Sequence, residues 1–160
     1  MALTVSVTVP IIAIVSGGFG MEVGFEYAIT PSASARLSAR YMGFRGDGEM
    51  LSMFRIALEG RWYPQGNALQ GWFVSGSAQM DAISPFGDND FEGSRISVFA
   101  GGGYKAVFEG SQSPAFFVEP RLDFGLPLNL LVSGDFSWWL AYLLLGMGGP
   151  RFSVPIGVTF

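Results

Sequence analysis

The chain has 160 residues, of which 49% are hydrophobic, 15% aromatic and only 14% charged, and its formal net charge is −4. This length predicts a single domain over residues 1–160, and the acidic balance argues against a nucleic-acid partner, which selects basic surfaces. Histidine and cysteine are absent, which excludes a Ser-His-Asp triad, a disulfide framework and thiol chemistry. We therefore expect neither enzymatic activity nor a cofactor.

The chain opens with an apolar segment, residues 3–15, in which Thr4, Ser6 and Thr8 alternate with valines. It has neither the basic n-region nor the Ala-x-Ala-like cleavage site of a secretory signal. No apolar run in the chain reaches the ~20 residues of a membrane-spanning helix. Because successive side chains of a strand point to opposite faces, short alternating segments of this kind predict strands.

Further alternating segments follow, separated by turn residues such as Pro31, which presets the backbone angle φ of a tight turn. Short turns are predicted at 30–33, 64–68 and 110–114, and loops at 45–49, 83–93 and 138–150. The predicted strands are residues 3–15, 18–29, 34–44, 50–63, 69–82, 94–109, 115–126 and 151–160.

Within each predicted strand the charged residues keep one parity and the large apolar residues keep the other. Charges that merely decorate a solvated surface would be scattered over both parities. The acids with this parity are Glu22, Glu26, Glu59, Asp81, Glu109, Glu119, Asp123 and Asp135, and the bases are Arg36, Arg40, Arg55, Arg61, Arg95, Lys105 and Arg121.

Alternation fits both a soluble barrel with an apolar interior and a membrane barrel with an apolar exterior. The interior of an eight-stranded barrel is just wide enough for side chains to fill, and the apolar face here is too bulky for it. We therefore expect this face to contact lipid while the charges pair in the lumen, where buried charges are tolerated only when paired. Aromatic residues near strand ends fit interfacial girdles: Tyr27, Trp62, Tyr63, Trp72, Trp138 and Trp139.

The predicted fold is thus an all-β, transmembrane, antiparallel up-and-down β-barrel of eight strands, since strands span hydrocarbon only as a closed barrel. A hairpin at 126–129 with a further strand at 140–145 would make ten strands, and this alternative stays open. If the C-terminus is periplasmic, the three short turns lie on the periplasmic side, as such turns do. The charge balance of the lumen favours a structural core over a conduction path, because a pore lining would carry excess charge of one sign.

The last ten residues alternate without a polar tail: Phe152, Val154, Ile156, Val158 and Phe160 share one face. This pattern resembles the C-terminal signal read by the barrel-assembly machinery, and the whole chain resembles small bacterial outer-membrane β-barrels of the OmpA-like type. Residues 59–74, with Arg-Trp-Tyr-Pro before Gly-Asn-Ala-Leu-Gln-Gly-Trp, are similar to a hairpin of a small-barrel family with no assigned function. Residues 103–105 and 117–120 are similar to that family's later hairpin.

The resemblance implies residence in the bacterial outer membrane, with the lipid bilayer and the assembly machinery as partners, and a porin-like or structural role without catalytic residues. We expect a monomer that acts as a non-enzymatic structural or surface-interaction barrel. A narrow porin-like channel for ions or small solutes and a soluble ligand-binding β-barrel are the alternatives.

Three motifs resemble sites without completing them. Residues 88–93 (Asp-Asn-Asp-Phe-Glu-Gly) resemble half of a calcium loop, but Phe99 occupies the place of the bidentate glutamate, so we expect a solvated acidic loop and no metal. Gly17–Gly18 and Gly101–Gly103 miss the nucleotide-binding spacings and fit the wall of a narrow barrel better. The aromatic segment 138–145 favours interfacial anchoring over packing on the barrel mouth or contact with a partner.

Overall fold

The computed structural model describes residues 3–8, 19–46, 49–85, 93–108, 114–128 and 149–160. Within these ranges every regular element is a strand, which confirms the predicted all-β class. No helix in the described part of the chain is long and apolar enough to cross a membrane. The strands are β1 (Leu3–Thr8), β2 (Phe19–Thr30), β3 (Ala33–Gly46), β4 (Glu49–Trp62), β5 (Gly71–Pro85), β6 (Gly93–Phe108), β7 (Ala115–Val118), β8 (Arg121–Pro127), β9 (Gly149–Ser153) and β10 (Ile156–Thr159).

All ten strands belong to one curled sheet with the order β5-β4-β3-β2-β1-β10-β7-β6-β8-β9, and β5 also pairs with β6. Every pairing is antiparallel, as predicted. The neighbours along the chain from β1 to β6 are also neighbours in the sheet, and the first strand pairs with the last. Most contacts therefore form between hairpin partners.

Two of the strand boundaries are interruptions at prolines. β7 and β8 keep the same register against β6, since Val118 lies opposite Ala106 and Arg121 opposite Gly103. Pro120 separates them, and Pro155 separates β9 from β10, because proline has no N–H to donate to the ladder. The Glu119 N–H donates to the Pro155 carbonyl at 2.9 Å across the two interruptions. β7 with β8, and β9 with β10, are thus each two halves of one strand.

Several predicted loops are shorter than expected because ladder pairing continues past the polar residues. The loop predicted at 45–49 gives way to pairing of Gly46 with Glu49, and in the loop predicted at 83–93 Ile83 pairs with Gly93. The final strand begins at Gly149 instead of residue 151. Residues 9–15 of the predicted first strand, and the alternative strand at 140–145, lie outside the described residues.

The connection from β4 to β5 is longer than the predicted turn at 64–68, because β5 begins only at Gly71. Its backbone docks on the β2–β3 turn: the Tyr63 N–H donates to the Ser32 carbonyl at 2.8 Å, and the Ala68 N–H to the Pro31 carbonyl at 2.6 Å. Leu69 has a φ of 74°, in the region that a leucine rarely adopts. Its side chain is buried, so packing around it stabilises this strained backbone.

The two faces of the sheet carry opposite chemistry. Among the described residues, 25 large hydrophobic side chains are exposed and 7 are buried, whereas 12 charged side chains are buried. On β2, for example, Glu22 and Glu26 are buried while Met21, Phe25 and Tyr27 are exposed. This arrangement is the reverse of a water-soluble domain, in which apolar residues fill the interior.

Candidate functional site

The strands bring the charged side chains together on the inner face of the curled sheet, and we call this set the buried charge network. Each member is at most 8% exposed. Burying an ion costs several kcal/mol or more unless it is paired, so the pairing pattern decides whether this interior is stable. The members are Glu22, Glu26, Arg36, Arg40, Arg55, Glu59, Arg61, Asp81, Lys105, Glu119, Arg121 and Asp123.

Glu26, on β2, is the acceptor at the end of the network nearest the β4–β5 connection. One of its oxygens accepts from the Ser34 hydroxyl at 2.5 Å and from the Tyr63 hydroxyl at 2.7 Å. The other accepts from the Lys105 ammonium at 2.6 Å and from the Arg61 guanidinium at 3.1 Å. Four donors match in number the lone-pair sites of one carboxylate, which satisfies it without water.

Tyr63 follows β4, and its side chain is fully buried. Burial raises the pKa of its phenol, as does the neighbouring Glu26 carboxylate, although the Arg61 charge acts in the opposite direction. The phenol therefore stays protonated and acts as a donor. We predicted Tyr63 to be an interfacial aromatic, and this was wrong, because it shares the parity of Glu59 and Arg61.

Arg61 is the hub of the network. Its guanidinium donates to Glu59 at 2.5 Å and to both oxygens of Glu119 at 2.7 and 2.9 Å, in addition to Glu26. It also lies over the ring of Phe73, 4.5 Å from the centroid, where a desolvated cation–π contact adds stabilisation. One guanidinium therefore joins three carboxylates that come from β2, β4 and the β7–β8 interruption.

Further pairs extend the network along the sheet. Arg121 binds Asp123 in a bidentate manner at 3.0 and 2.7 Å and reaches Glu59 at 3.0 Å. Glu22 accepts from Arg36 at 3.1 Å and pairs with Arg40. Because each of these groups contacts an opposite charge on the inner face, the charges compensate one another across β2, β3, β4 and β8.

At the opposite end of the network, Arg55 binds Asp81 through Nε at 2.5 Å and through Nη2 at 3.2 Å. Arg151, on β9, donates to Gln79 at 3.2 Å and to Asp123 at 3.4 Å, and it lies over the ring of Phe99. Sequence reasoning missed Arg151 and Gln79 as members of this interior. The signal was present, because Arg151 shares the polar parity of the last strand.

Glycine makes room for two of the buried rings. A Cβ atom at Gly125 would overlap the ring of Phe99, and one at Gly103 would lie 2.9 Å from Cζ of the Phe73 ring. The Gly101–Gly103 run therefore allows close packing on the inner face, and it forms no nucleotide loop. This agrees with the expectation that these glycines belong to the wall of the sheet.

The predicted site residues fall into three groups. Twelve of the thirteen predicted network residues are buried on the inner face. The thirteenth, Arg95, lies on β6 opposite Asp81 in the ladder, and its side chain is outside the described part of the structure. Glu109 and Asp135 lie outside the described residues, as do the calcium-like residues 88–92 and the aromatic segment 138–145.

Phe152, Ile156 and Val158 of the predicted assembly signal lie on the last two strands, Val154 lies between these strands, and Phe160 follows them. Phe152, Ile156 and Phe160 are exposed, and Val154 and Val158 are half-buried. The predicted girdle residues Tyr27, Trp62 and Trp72 are exposed as well, and Trp72 contacts Tyr104 with 5.2 Å between ring centroids.

The side chains of the described interior interact through ion pairs and hydrogen bonds. The carboxylates are held by arginine, lysine, serine or tyrosine donors, so they are poor candidates for a general base. Among the described residues no group of histidine, cysteine, aspartate and glutamate is arranged to hold a metal ion. The network is therefore best suited to holding strands together and to filling the space between them.

No family model matches the chain, and neither a curated protein nor a solved structure matches it. A functional assignment therefore has to come from the geometry and chemistry of the chain itself.

Proposed function

We propose that this chain is a non-enzymatic β-barrel of the bacterial outer membrane, closed by eight strands, with a structural or surface-interaction role and a lumen filled by ion pairs. The observation that carries the proposal is the inverted burial: the charged side chains are inside and the large apolar ones are outside. Water-soluble monomers rarely expose a contiguous apolar surface larger than a few hundred Å². A lipid environment removes the free-energy cost of exposing these apolar side chains to water.

The pattern of strand pairing supports the proposal of a closed barrel. β1 pairs with β10, β10 with β7, β7 and β8 with β6, and β6 with β5. When β7 with β8 and β9 with β10 are counted as single strands, eight strands remain, and each has a partner on both sides. A sheet without an open edge satisfies its backbone groups internally, which hydrocarbon requires.

The filled interior supports a structural role over transport and over ligand binding. The cavity inside the network has a volume of about 20 Å³, whereas pockets for small molecules occupy roughly 300–1,000 Å³. The side chains of Arg61, Glu119 and Lys105 are almost completely buried in this interior, which leaves no open path beside them. A soluble ligand-binding barrel would need an apolar pocket on this same face.

The exposure and pairing of the last strand support the proposal that the outer-membrane machinery assembles this protein. The alternating residues Phe152, Ile156 and Phe160 are exposed, so their side chains are accessible on the outer face. The strand also pairs with β1, so its insertion completes the proposed closure. We propose that the mature barrel is a monomer.

The membrane proposal is tested by tryptophan quenching after refolding into vesicles with brominated acyl chains. Two single-tryptophan proteins form the matched pair, because the sites are adjacent and face opposite ways. One keeps only Trp72, which is exposed, and the other carries Phe73→Trp at a buried site with all native tryptophans changed to Phe. We expect strong quenching for Trp72 and little for Phe73→Trp.

Refolding is monitored by heat-modifiable gel mobility, which a closed membrane barrel shows. A protein that is monodisperse without detergent, and whose Trp72 is not quenched, would refute the proposal. Planar-bilayer recordings distinguish the two membrane roles: a structural barrel stays silent, and reproducible channel steps would instead support a narrow channel.

A further inference from the structure

Four buried polar groups of the described interior have no hydrogen-bond partner, and three of them are N–H donors on side chains that line one cavity. These donors are the Arg55 Nη1, Gln79 Nε2 and Arg151 Nε atoms. Arg55 and Gln79 are almost fully buried, and the Arg151 side chain is 14% exposed. An unpaired buried donor destabilises the fold, so three at one cavity indicate that something else accepts from them.

The orientation of these groups follows from their other contacts. Arg55 uses Nε and Nη2 on Asp81, which leaves Nη1 free of protein partners. The Gln79 carbonyl oxygen accepts from Arg151 Nη1 at 3.2 Å, so the amide NH₂ remains as the unpaired end. All three unpaired atoms are donors, and together they call for a group that only accepts.

The charge around the cavity is positive, which also favours an anion. Five arginines and three carboxylates line it, and the buried charge network together with Arg151 holds seven cations and six carboxylates. One positive charge is left over among the described residues. The lining arginines are Arg36, Arg40, Arg55, Arg121 and Arg151, and the lining carboxylates are Glu22, Glu59 and Asp123.

The size of the cavity limits the occupant. Its volume of about 20 Å³ holds a single water-sized species, because one such species needs roughly 10–15 Å³. A water molecule has two lone pairs and could accept from only two of the three donors. A monovalent halide accepts from all three and also neutralises the extra charge.

We propose that this cavity is a binding site for one small monovalent anion of the halide class, held by Arg55, Gln79 and Arg151. This goes beyond the proposed function and does not rest on it, because the donors and the cavity lie on the inner face whatever covers the outer face. The bound anion completes the buried charge network at the end opposite Glu26.

The direct test is crystallography of the refolded wild-type protein in bromide, with diffraction measured at the bromine absorption edge. We expect an anomalous peak inside the cavity, next to the guanidinium groups of Arg55 and Arg151. An ordered cavity without a peak, or with a water at full occupancy, would overturn the proposal.

The second test is thermal unfolding in neutral detergent, with chloride compared against gluconate, which is too large for the cavity, at equal ionic strength. We expect saturating chloride to raise the wild-type melting temperature by ~2–4 °C. Gln79→Leu removes one donor and Arg151→Met removes the extra charge, and both should abolish the chloride-specific shift.

Ser97→Ala is the matched control. The Ser97 hydroxyl is also buried and unpaired, but Ser97 does not line the cavity. This variant should keep the full chloride shift. A shift that is equal in chloride and gluconate, or that survives Gln79→Leu and Arg151→Met, would overturn the proposal. If a variant fails to fold, the bromide experiment on the wild-type protein still tests the proposed anion site.

Discussion

The buried pair of Glu26 and Lys105 offers the sharpest test of the charge network. The Lys105 ammonium lies 2.6 Å from the Glu26 carboxylate, and both side chains are almost completely buried. Glu26→Gln keeps the shape of the side chain but removes its charge. It also turns an NH₂ donor toward groups that are themselves donors, which are Lys105 and Arg61 on one side and Ser34 and Tyr63 on the other.

Breaking a buried ion pair by changing one partner typically costs about 3–5 kcal/mol, because the other charge stays buried without compensation. We therefore expect Glu26→Gln to lower the free energy of unfolding by about 3–5 kcal/mol. Lys105→Met should also destabilise, although Glu26 then still has Arg61, Ser34 and Tyr63. The double variant should be more stable than the sum of the single effects predicts, by about 0.5–3 kcal/mol.

The assay is equilibrium unfolding in urea of the protein refolded into detergent or vesicles, followed by tryptophan fluorescence. The slope of the free energy against urea should stay the same among variants, so that differences in midpoint report stability. Asn67→Ala, in the exposed β4–β5 connection, is the control and should add to Glu26→Gln within about 0.5 kcal/mol. Additive effects of Glu26→Gln and Lys105→Met would refute the reasoning.

Three further predictions concern single positions. Tyr63→Phe removes one donor from a buried carboxylate and should destabilise by about 1–3 kcal/mol in the same urea assay, whereas an unchanged midpoint would contradict the buried hydrogen bond. Gly125→Ala would push a Cβ atom into the ring of Phe99 and should cost about 1–3 kcal/mol, while Gly76→Ala, whose Cβ meets nothing within 4 Å, should be near neutral. Leu58→Arg on the exposed face should destabilise the protein in vesicles by about 2–4 kcal/mol if this face meets lipid, and full tolerance of the arginine would argue for water there.

The sequence was most informative where the two-residue alternation of a strand continues over many positions. The alternation over 18–29 predicted β2 to within a residue, and it placed Glu22 and Glu26 on one face because the side-chain period of a strand is two. The same rule would have placed Tyr63 inside with Arg61. Its aromatic character and its position at a strand end led instead to the wrong assignment as an interfacial residue.

Boundaries were less well predicted, because they depend on ladder pairing between strands and not on local turn propensity alone. The polar residues at 45–49 indicated a loop, yet Gly46 and Glu49 pair across the β3–β4 hairpin. Pro120 and Pro155 interrupt strands whose register nevertheless continues on both sides. Only the neighbouring strand shows that the register is kept.

By itself, then, the sequence determined the all-β class, the separation of charged and apolar side chains onto two faces, and most of the residues that meet inside. It could not determine which charges pair, since Arg61 and Glu119 are 58 positions apart and come together only through the curl and register of the sheet. Nor could it reveal the three unpaired donors around one cavity, because hydrogen-bond satisfaction depends on ångström-scale distances that no periodicity encodes. Parity assigns a residue to a face, whereas only the tertiary structure assigns it a partner.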